Sequence, residues 1–113
     1  MPTPQAWLLA FLITVAVEVP IVVALTRPCQ VSAGRRGALA VFAQLATHPL
    51  VWFVFPQLVG LTGRTSLLLS EAWAWLAETI FYWIAWPGLS VSRAVAASAI
   101  ANAASIAVGL LVL

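Results

Sequence analysis

The chain has 113 residues, of which 64% are hydrophobic and only 7% are charged. Soluble domains are about 45–50% apolar and about 25% charged, so this composition excludes a soluble catalytic domain, a nucleic-acid-binding face and a disulfide scaffold. The formal net charge of +2 comes from arginines in short loops, a pattern typical of cytoplasmic membrane edges and not of a phosphate-binding patch. The composition therefore predicts a protein whose solvent is lipid.

Four apolar runs follow one another along the chain, each near the length of about 20 residues that crosses a bilayer. They cover approximately residues 6–26, 37–61, 65–86 and 94–113. A polar linker follows the first run, and Pro87-Gly88 stops the third. No run shows the period-2 alternation of a strand. We predict an all-α polytopic integral membrane protein, in which a single transmembrane domain (1–113) forms a four-helix bundle with short loops.

The arginines are divided unevenly between the two sides of the predicted bundle. Those in the first and third loops are Arg27, Arg35, Arg36 and Arg93. Only Arg64 lies on the other side. Because cytoplasmic loops are enriched in arginine and lysine, loops 27–36 and 87–93 are predicted to be cytoplasmic and both termini external. The first run has no preceding basic residue and no cleavage site, so it is predicted to stay as a span. Cys29, the single cysteine, is interpreted as incidental.

Each apolar run contains a polar residue near its centre, where a charged side chain costs between about 2.5 and more than 10 kcal/mol. These residues are Glu18, His48, Glu78 and Asn102. At a rise of 1.5 Å per residue, all four lie within about 4 Å of the midpoints of their runs. We therefore predict that they lie at one level and converge as an ion-handling or proton-handling site inside the bundle.

Further polar or small residues share the helical faces of these four. The predicted supporting residues are Thr14, Gln44, Glu71, Tyr82, Ser98 and Ser105. Pro20 and Pro49 each free the carbonyl four residues earlier, which adds an acceptor close to the cluster. Small and polar residues on facing helices allow close approach and hydrogen bonds across the interface. The four faces are expected to meet on the bundle axis.

Buried acids and an imidazole are the groups that proton relays use. We expect Glu18 to alternate between a neutral and a charged form, with Glu78 as its counterpart and His48 carrying protons between them. The predicted function is proton-linked or cation-handling transport, without catalysis, by a homo-oligomer in the lipid bilayer. The alternative is a non-catalytic subunit or assembly factor of a larger membrane complex, in which the same cluster serves as interhelical glue.

A metal site is a second interpretation of the same cluster. Glu18, His48 and Glu78 would supply one nitrogen and up to four oxygens, a set that suits Zn, Mn or Fe. The Glu-x-x-His motif of di-iron bundles and the H-E-x-x-H motif are both missing from the sequence. No cofactor is therefore predicted, while a divalent metal and intramembrane metal-dependent chemistry stay open. Other membrane subunits are expected as partners, and nucleic acid is not.

The size, the four spans and the acid in the first run, within Val17-Glu18-Val19, resemble the small multidrug resistance transporters. This resemblance implies a first-helix glutamate that exchanges protons for cationic drugs. It covers Trp7 to about Leu25. Beyond that range the third run has two glutamates, lacks the family's glycine-rich pattern, and follows a second run with His48-Pro49. The chain is therefore not assigned to that family.

Overall fold

The computed structural model describes residues 3–54, 57 and 63–112, with 63–67 described by their backbone only. Its α-helices are α1 (Pro4–Leu25), α2 (Ala33–Pro49), α3 (Gly63–Ala85) and α4 (Val91–Val112), and a π-helical turn (Leu50–Val54) continues α2. No strand occurs in the described ranges, which confirms the all-α class. The predicted helix ends at residues 61 and 113 lie outside the described residues.

Three helices begin two to four residues earlier than predicted, because hydroxyl groups cap them. The caps accept backbone N–H groups at 3.0–3.3 Å: Thr3 from Ala6, Ser32 from Arg35, and Ser90 from Arg93. Such caps satisfy donors that a helix start leaves unpaired. Residues 33–36, which are predicted as part of a loop, are therefore the first turn of α2.

The helices form a ring in which α1 packs against α2 and α4, and α3 packs against the same two. Helices α1 and α3 therefore lie diagonally across the bundle, as do α2 and α4. The short connections 26–32 and 86–90 meet at one end, where the Gln30 N–H donates to the Pro87 carbonyl at 3.1 Å. Gly88 follows with a φ of 86°, a conformation that glycine adopts without strain.

We call this the arginine end, because Arg27 lies in the first connection and Arg35, Arg36 and Arg93 lie in the first turns of the helices that follow the two connections. Arg36 is 5% exposed and donates to the carbonyls of Val23 and Val31 and to the Thr26 hydroxyl. Arg93 donates to the Leu25 carbonyl at 3.0 Å. These bonds satisfy acceptors at the end of α1 that the helix itself leaves unpaired, so the two arginines tie three segments together.

The distribution of polarity is the reverse of that in a water-soluble protein, whose buried residues are mostly apolar. Buried polar side chains include Glu18, Gln44, Thr47, Glu78, Ser98 and Asn102. Large apolar side chains that are at least half exposed include Leu9, Leu12, Phe42, Leu76, Ile84, Leu110 and Leu111. Among the described residues, Pro4–Leu25, Ala33–Val54 and Val91–Val112 are long and apolar enough to cross a membrane. The bundle is therefore compatible with a multi-pass membrane protein.

Helix α3 has 23 residues but is not among those three segments. It carries Glu71 and Glu78, and both lower its mean hydropathy. Two bonds fix it to α4: Ser98 donates to the Trp75 carbonyl at 3.2 Å, and the Trp75 indole donates to the Val95 carbonyl at 3.2 Å. Helix α3 is thus held to α4 by hydrogen bonds to backbone acceptors as well as by packing.

Candidate functional site

Hydrogen bonds between side chains link the four helices into a closed ring at one level of the bundle. We call its members the carboxyl ring: Glu18 from α1, Gln44 from α2, Glu78 from α3, and Asn102 and Ser105 from α4. The acids come from one diagonal pair of helices and the donors from the other. Each helix therefore bonds to both of its neighbours through this ring.

Gln44 is the link between the two acids, because its Nε2 donates to an oxygen of each. The distance to Glu18 Oε1 is 2.9 Å, and the second bond goes to Glu78 Oε1. Two residues of helix α4 donate hydrogen bonds to the other oxygen of each acid. Ser105 Oγ donates to Glu18 Oε2 at 2.7 Å, and Asn102 Nδ2 donates to Glu78 Oε2 at 3.2 Å. All four carboxyl oxygens therefore accept a hydrogen bond inside the protein.

The two carboxyl groups lie side by side, since one nitrogen of Gln44 donates to an oxygen of each. Glu18 is 2% exposed and Glu78 is 1% exposed. Two negative charges this close in a medium of low dielectric repel strongly. A proton on one of the acids, or a cation beside both, would reduce that repulsion.

A cavity of about 30 Å³ adjoins the carboxyl ring, and residues of all four helices line it. Its polar walls and size suit at least one water molecule. A larger cavity of about 250 Å³ lies beyond it, away from the arginine end, bounded in part by Ile13, Trp52 and Gly109. Both cavities are lined by Thr14, His48, Glu71 and Ser105. The ring is thus approached by open space from the end opposite the arginines, which we call the open end.

His48 lies one turn from Gln44 on the side of the open end. Its Nε2 is 3.4 Å from the Thr14 hydroxyl, and its ring is surrounded by the aromatic rings of Trp7, Phe11 and Trp52, with centroids at 5.6–6.2 Å. Its Nδ1 and the Trp7 Nε1 are both buried without a hydrogen-bond partner among the described residues. His48 therefore borders the entrance to the carboxyl ring and is not a member of it.

The arginine side of the ring is filled by close packing. Val22 and Tyr82 are fully buried, and the Tyr82 ring stacks on Trp86 with centroids 4.7 Å apart and planes 5° apart. Ala40 and Ala94, which are 1% and 0% exposed, belong to the same packed cluster. The layer separates the carboxyl ring from the arginine end.

The structure places all four residues predicted to converge around the cavity of about 30 Å³. Glu18, Glu78 and Asn102 are members of the carboxyl ring, whereas His48 lines the cavity beside it. Of the predicted supporting residues, Gln44 and Ser105 are ring members, and Ser98 accepts from Asn102 at 2.8 Å through its carbonyl. Thr14 and Glu71 line the cavities instead.

The expected position of His48 between the two acids is not the one that the structure shows, because Gln44 is the residue that bonds to both Glu18 and Glu78. The hydrogen-bond neighbour of His48 is the Thr14 hydroxyl. The hypothetical metal set of Glu18, His48 and Glu78 is likewise not assembled: no three His, Cys, Asp or Glu side chains in the described part of the chain are grouped as metal ligands. The donors around the acids are amide and hydroxyl groups, which bind carboxyl oxygens.

Comparison with known proteins does not connect this site to a protein family. No protein-family model, no curated protein and no solved structure matches the chain.

Proposed function

We propose that the chain is a four-span membrane protein that exchanges protons for cations at the carboxyl ring. The observation that carries this proposal is the bridging of Glu18 and Glu78, from diagonally opposed helices, by a single Gln44 side chain. The two acids therefore lie side by side, inside a bundle whose exposed side chains include many large apolar ones.

The lengths and surfaces of the helices support membrane insertion. The 23 residues of α3 span about 35 Å at 1.5 Å per residue, enough for a hydrocarbon core of about 30 Å. Leu76 and Ile84 of this helix are 59% and 72% exposed, which suits contact with lipid. By the enrichment of arginine on the cytoplasmic side, the arginine end faces the cytoplasm and both termini lie outside.

A proton on the pair of acids supplies the exchange chemistry in this proposal. If the proton leaves, two negative charges stay on adjacent carboxyl groups in a site of low dielectric, and a cation there offsets their repulsion. If the cation leaves, a proton neutralises one of the two acids again. Proton and cation therefore compete for the same oxygens, which is the requirement for coupled exchange.

The two sides of the ring differ in access, as alternating transport requires. The cavities of about 250 and 30 Å³ lead from the open end to the acids. Tyr82 and Val22 fill the other side. This arrangement corresponds to a state open to the outside, and movement of the Tyr82 layer would open the site to the cytoplasm.

Flux measurements in reconstituted vesicles test the proposal. Vesicles that contain a pH-sensitive dye receive an inward gradient of Na⁺ or K⁺, and exchange raises the internal pH above that of protein-free vesicles. Glu18→Gln and Glu78→Gln keep the size and most hydrogen bonds of the acids but remove the exchangeable proton. We expect either change to reduce the flux to the level of protein-free vesicles.

Thr79→Val is the matched control, because it removes a buried hydroxyl next to Glu78 whose bond is to the Trp75 carbonyl of its own helix. This variant should retain the flux. Helix content and monodispersity in detergent verify that each protein is folded. Equal flux in the wild type and Glu18→Gln, or no flux in the wild type, would overturn the proposal.

A second candidate function is supported by the completeness of the same hydrogen bonds. Because every carboxyl oxygen has a donor and every neighbouring helix pair is bridged, the ring could serve only to fix the packing of a non-catalytic membrane subunit. Partners would then contact the exposed apolar surface. Under that function Glu18→Gln leaves assembly with the partner unchanged, and the wild type shows no flux.

A further inference from the structure

A groove of about 820 Å³ lies at the arginine end, between the start of α2 and the end of α3. Its polar rim is formed by Gln30, Ser32 and Arg35, and its apolar part by Val31, Leu39, Ala85, Trp86 and Pro87. The transport site does not include any of these residues. The groove combines a polar edge with an apolar wall that continues along the exposed sides of α2 and α3.

Arg35 supplies the charge of this groove. Its side chain is exposed and makes no hydrogen bond to the described residues, whereas the neighbouring Arg36 is buried and bonded to three acceptors. The three acids of the chain lie within the helices, at positions 18, 71 and 78. The positive charge at the groove is therefore not neutralised by a carboxylate from the arginine end.

We propose that this groove binds the headgroup of an anionic phospholipid, with the phosphate on Arg35 and an acyl chain along Leu39 and Ala85. The proposal rests on the membrane insertion proposed above but not on transport. Arginine presents several N–H donors in a planar array that matches phosphate oxygens. The apolar wall favours a lipid over a free phosphate ion, because an ion would leave the exposed Ala85 and Pro87 of that wall uncovered.

A second groove at the same end shows why Arg35 is singled out. That groove, of about 310 Å³, contains Arg93 and lies between the end of α1 and the start of α4. Arg93 already donates to the Leu25 carbonyl at 3.0 Å. Its guanidinium is partly committed to holding α1, whereas the Arg35 guanidinium is free to bind a ligand. The proposed lipid site is therefore the groove at Arg35.

Native mass spectrometry of the purified full chain tests this site. The detergent-solubilised protein is titrated with phosphatidylglycerol or with phosphatidylcholine of the same acyl chains. We expect phosphatidylglycerol to be retained preferentially, and Arg35→Gln to reduce its apparent affinity about fivefold, the effect of one basic residue near an anionic headgroup. Arg27→Gln is the matched control, because Arg27 is an exposed arginine in the connection 26–32, just before α2, but does not line the groove.

Several outcomes would overturn the lipid site. Equal retention of the two lipids would do so, as would equal losses in Arg35→Gln and Arg27→Gln, which would indicate a diffuse charge effect. Displacement of the lipid by millimolar inorganic phosphate would identify a free-anion site instead. Flotation of the wild type with phosphatidylcholine vesicles after alkaline extraction is measured in parallel. Loss of flotation removes membrane insertion as well, whereas flotation without lipid preference removes only the lipid site.

Discussion

The two ends of the bundle are built differently, although the same four helices form both. At the arginine end, Arg36 and Arg93 satisfy the last carbonyls of α1, and Tyr82 and Val22 are fully buried. At the open end, a cavity of about 250 Å³ separates the helices, and buried nitrogens of Trp7 and His48 have no partner among the described residues.

This difference indicates where stability and function are located. Close packing stabilises a fold, so the layer around Tyr82 and Val22 should hold the helices together, although the Tyr82 hydroxyl itself has no hydrogen-bond partner among the described residues. Unpaired buried groups and empty volume cost stability and are retained mainly where a site requires them. The carboxyl ring lies at the boundary between the two regions, in contact with the packed layer on one side and the cavities on the other.

The largest expected effect on stability is at Tyr82, in the middle of the packed layer. Tyr82→Ala removes a fully buried ring that stacks on Trp86, and we expect a loss of about 3–5 kcal/mol. The hydroxyl lies near Gln44, but no described group meets it in hydrogen-bond geometry. Tyr82→Phe should therefore change stability by less than about 1 kcal/mol.

Thermal or denaturant unfolding in detergent, followed by circular dichroism, measures both Tyr82 variants. A loss in Tyr82→Phe as large as that in Tyr82→Ala would show that the hydroxyl, and not the packed ring, is the stabilising group. The view of this layer as a closely packed apolar barrier would then be wrong.

The next largest effect is expected at Arg36. Arg36→Met keeps an unbranched side chain but leaves the Val23 and Val31 carbonyls without their donor, which should cost about 2–3 kcal/mol. Arg27→Met is the control, because Arg27 is exposed and makes no hydrogen bond to the described residues, and its change should stay within about 0.5 kcal/mol. The same unfolding measurement compares them. If the two variants lose equal stability, the end of α1 is not held by Arg36.

Much of the architecture can be predicted from the sequence, because long apolar runs indicate helices that contact lipid and turn residues mark where those helices end. The four runs, the stop at Pro87-Gly88 and the convergence of Glu18, Glu78 and Asn102 are all predictable in this way. The starts of α2 and α4 are missed by three to four residues. Ser32 and Ser90 carry the available signal, since a serine before a helical run is a common N-cap.

That boundary shift explains why the sequence favours His48 over Gln44 as the central polar residue of the second helix. The run 37–61 places its midpoint at Pro49, next to His48. The segment Ala33–Val54 that the structure shows has its midpoint between Ala43 and Gln44. The two residues share one helical face, so spacing alone cannot distinguish them. The bridging of the two acids by Gln44 depends on which helices lie diagonally, and no local sequence pattern contains that information.

The smallest expected effect tests the open end, at Gly109. A Cβ atom added to this glycine of α4 would meet no other atom within 4 Å, although Gly109 lines the larger cavity. Alanine is favoured over glycine inside a helix, so Gly109→Ala should raise stability by about 0.5–1 kcal/mol. One methyl group fills little of the cavity, and the proton flux should therefore persist.

Gly37→Ala provides the comparison at the packed end of the bundle. Its new Cβ would lie 3.8 Å from Val23 Cγ2 and 3.9 Å from Val19 Cγ1, which is ordinary van der Waals contact. This variant should gain the same helix preference and also new packing, so its stabilisation should equal or exceed that of Gly109→Ala. Unfolding measurements on the two single variants and the double variant give the difference. A methyl group is tolerated in empty space and destabilises only where other atoms already lie. If Gly109→Ala lowers stability while Gly37→Ala raises it, the open end is therefore as tightly packed as the arginine end.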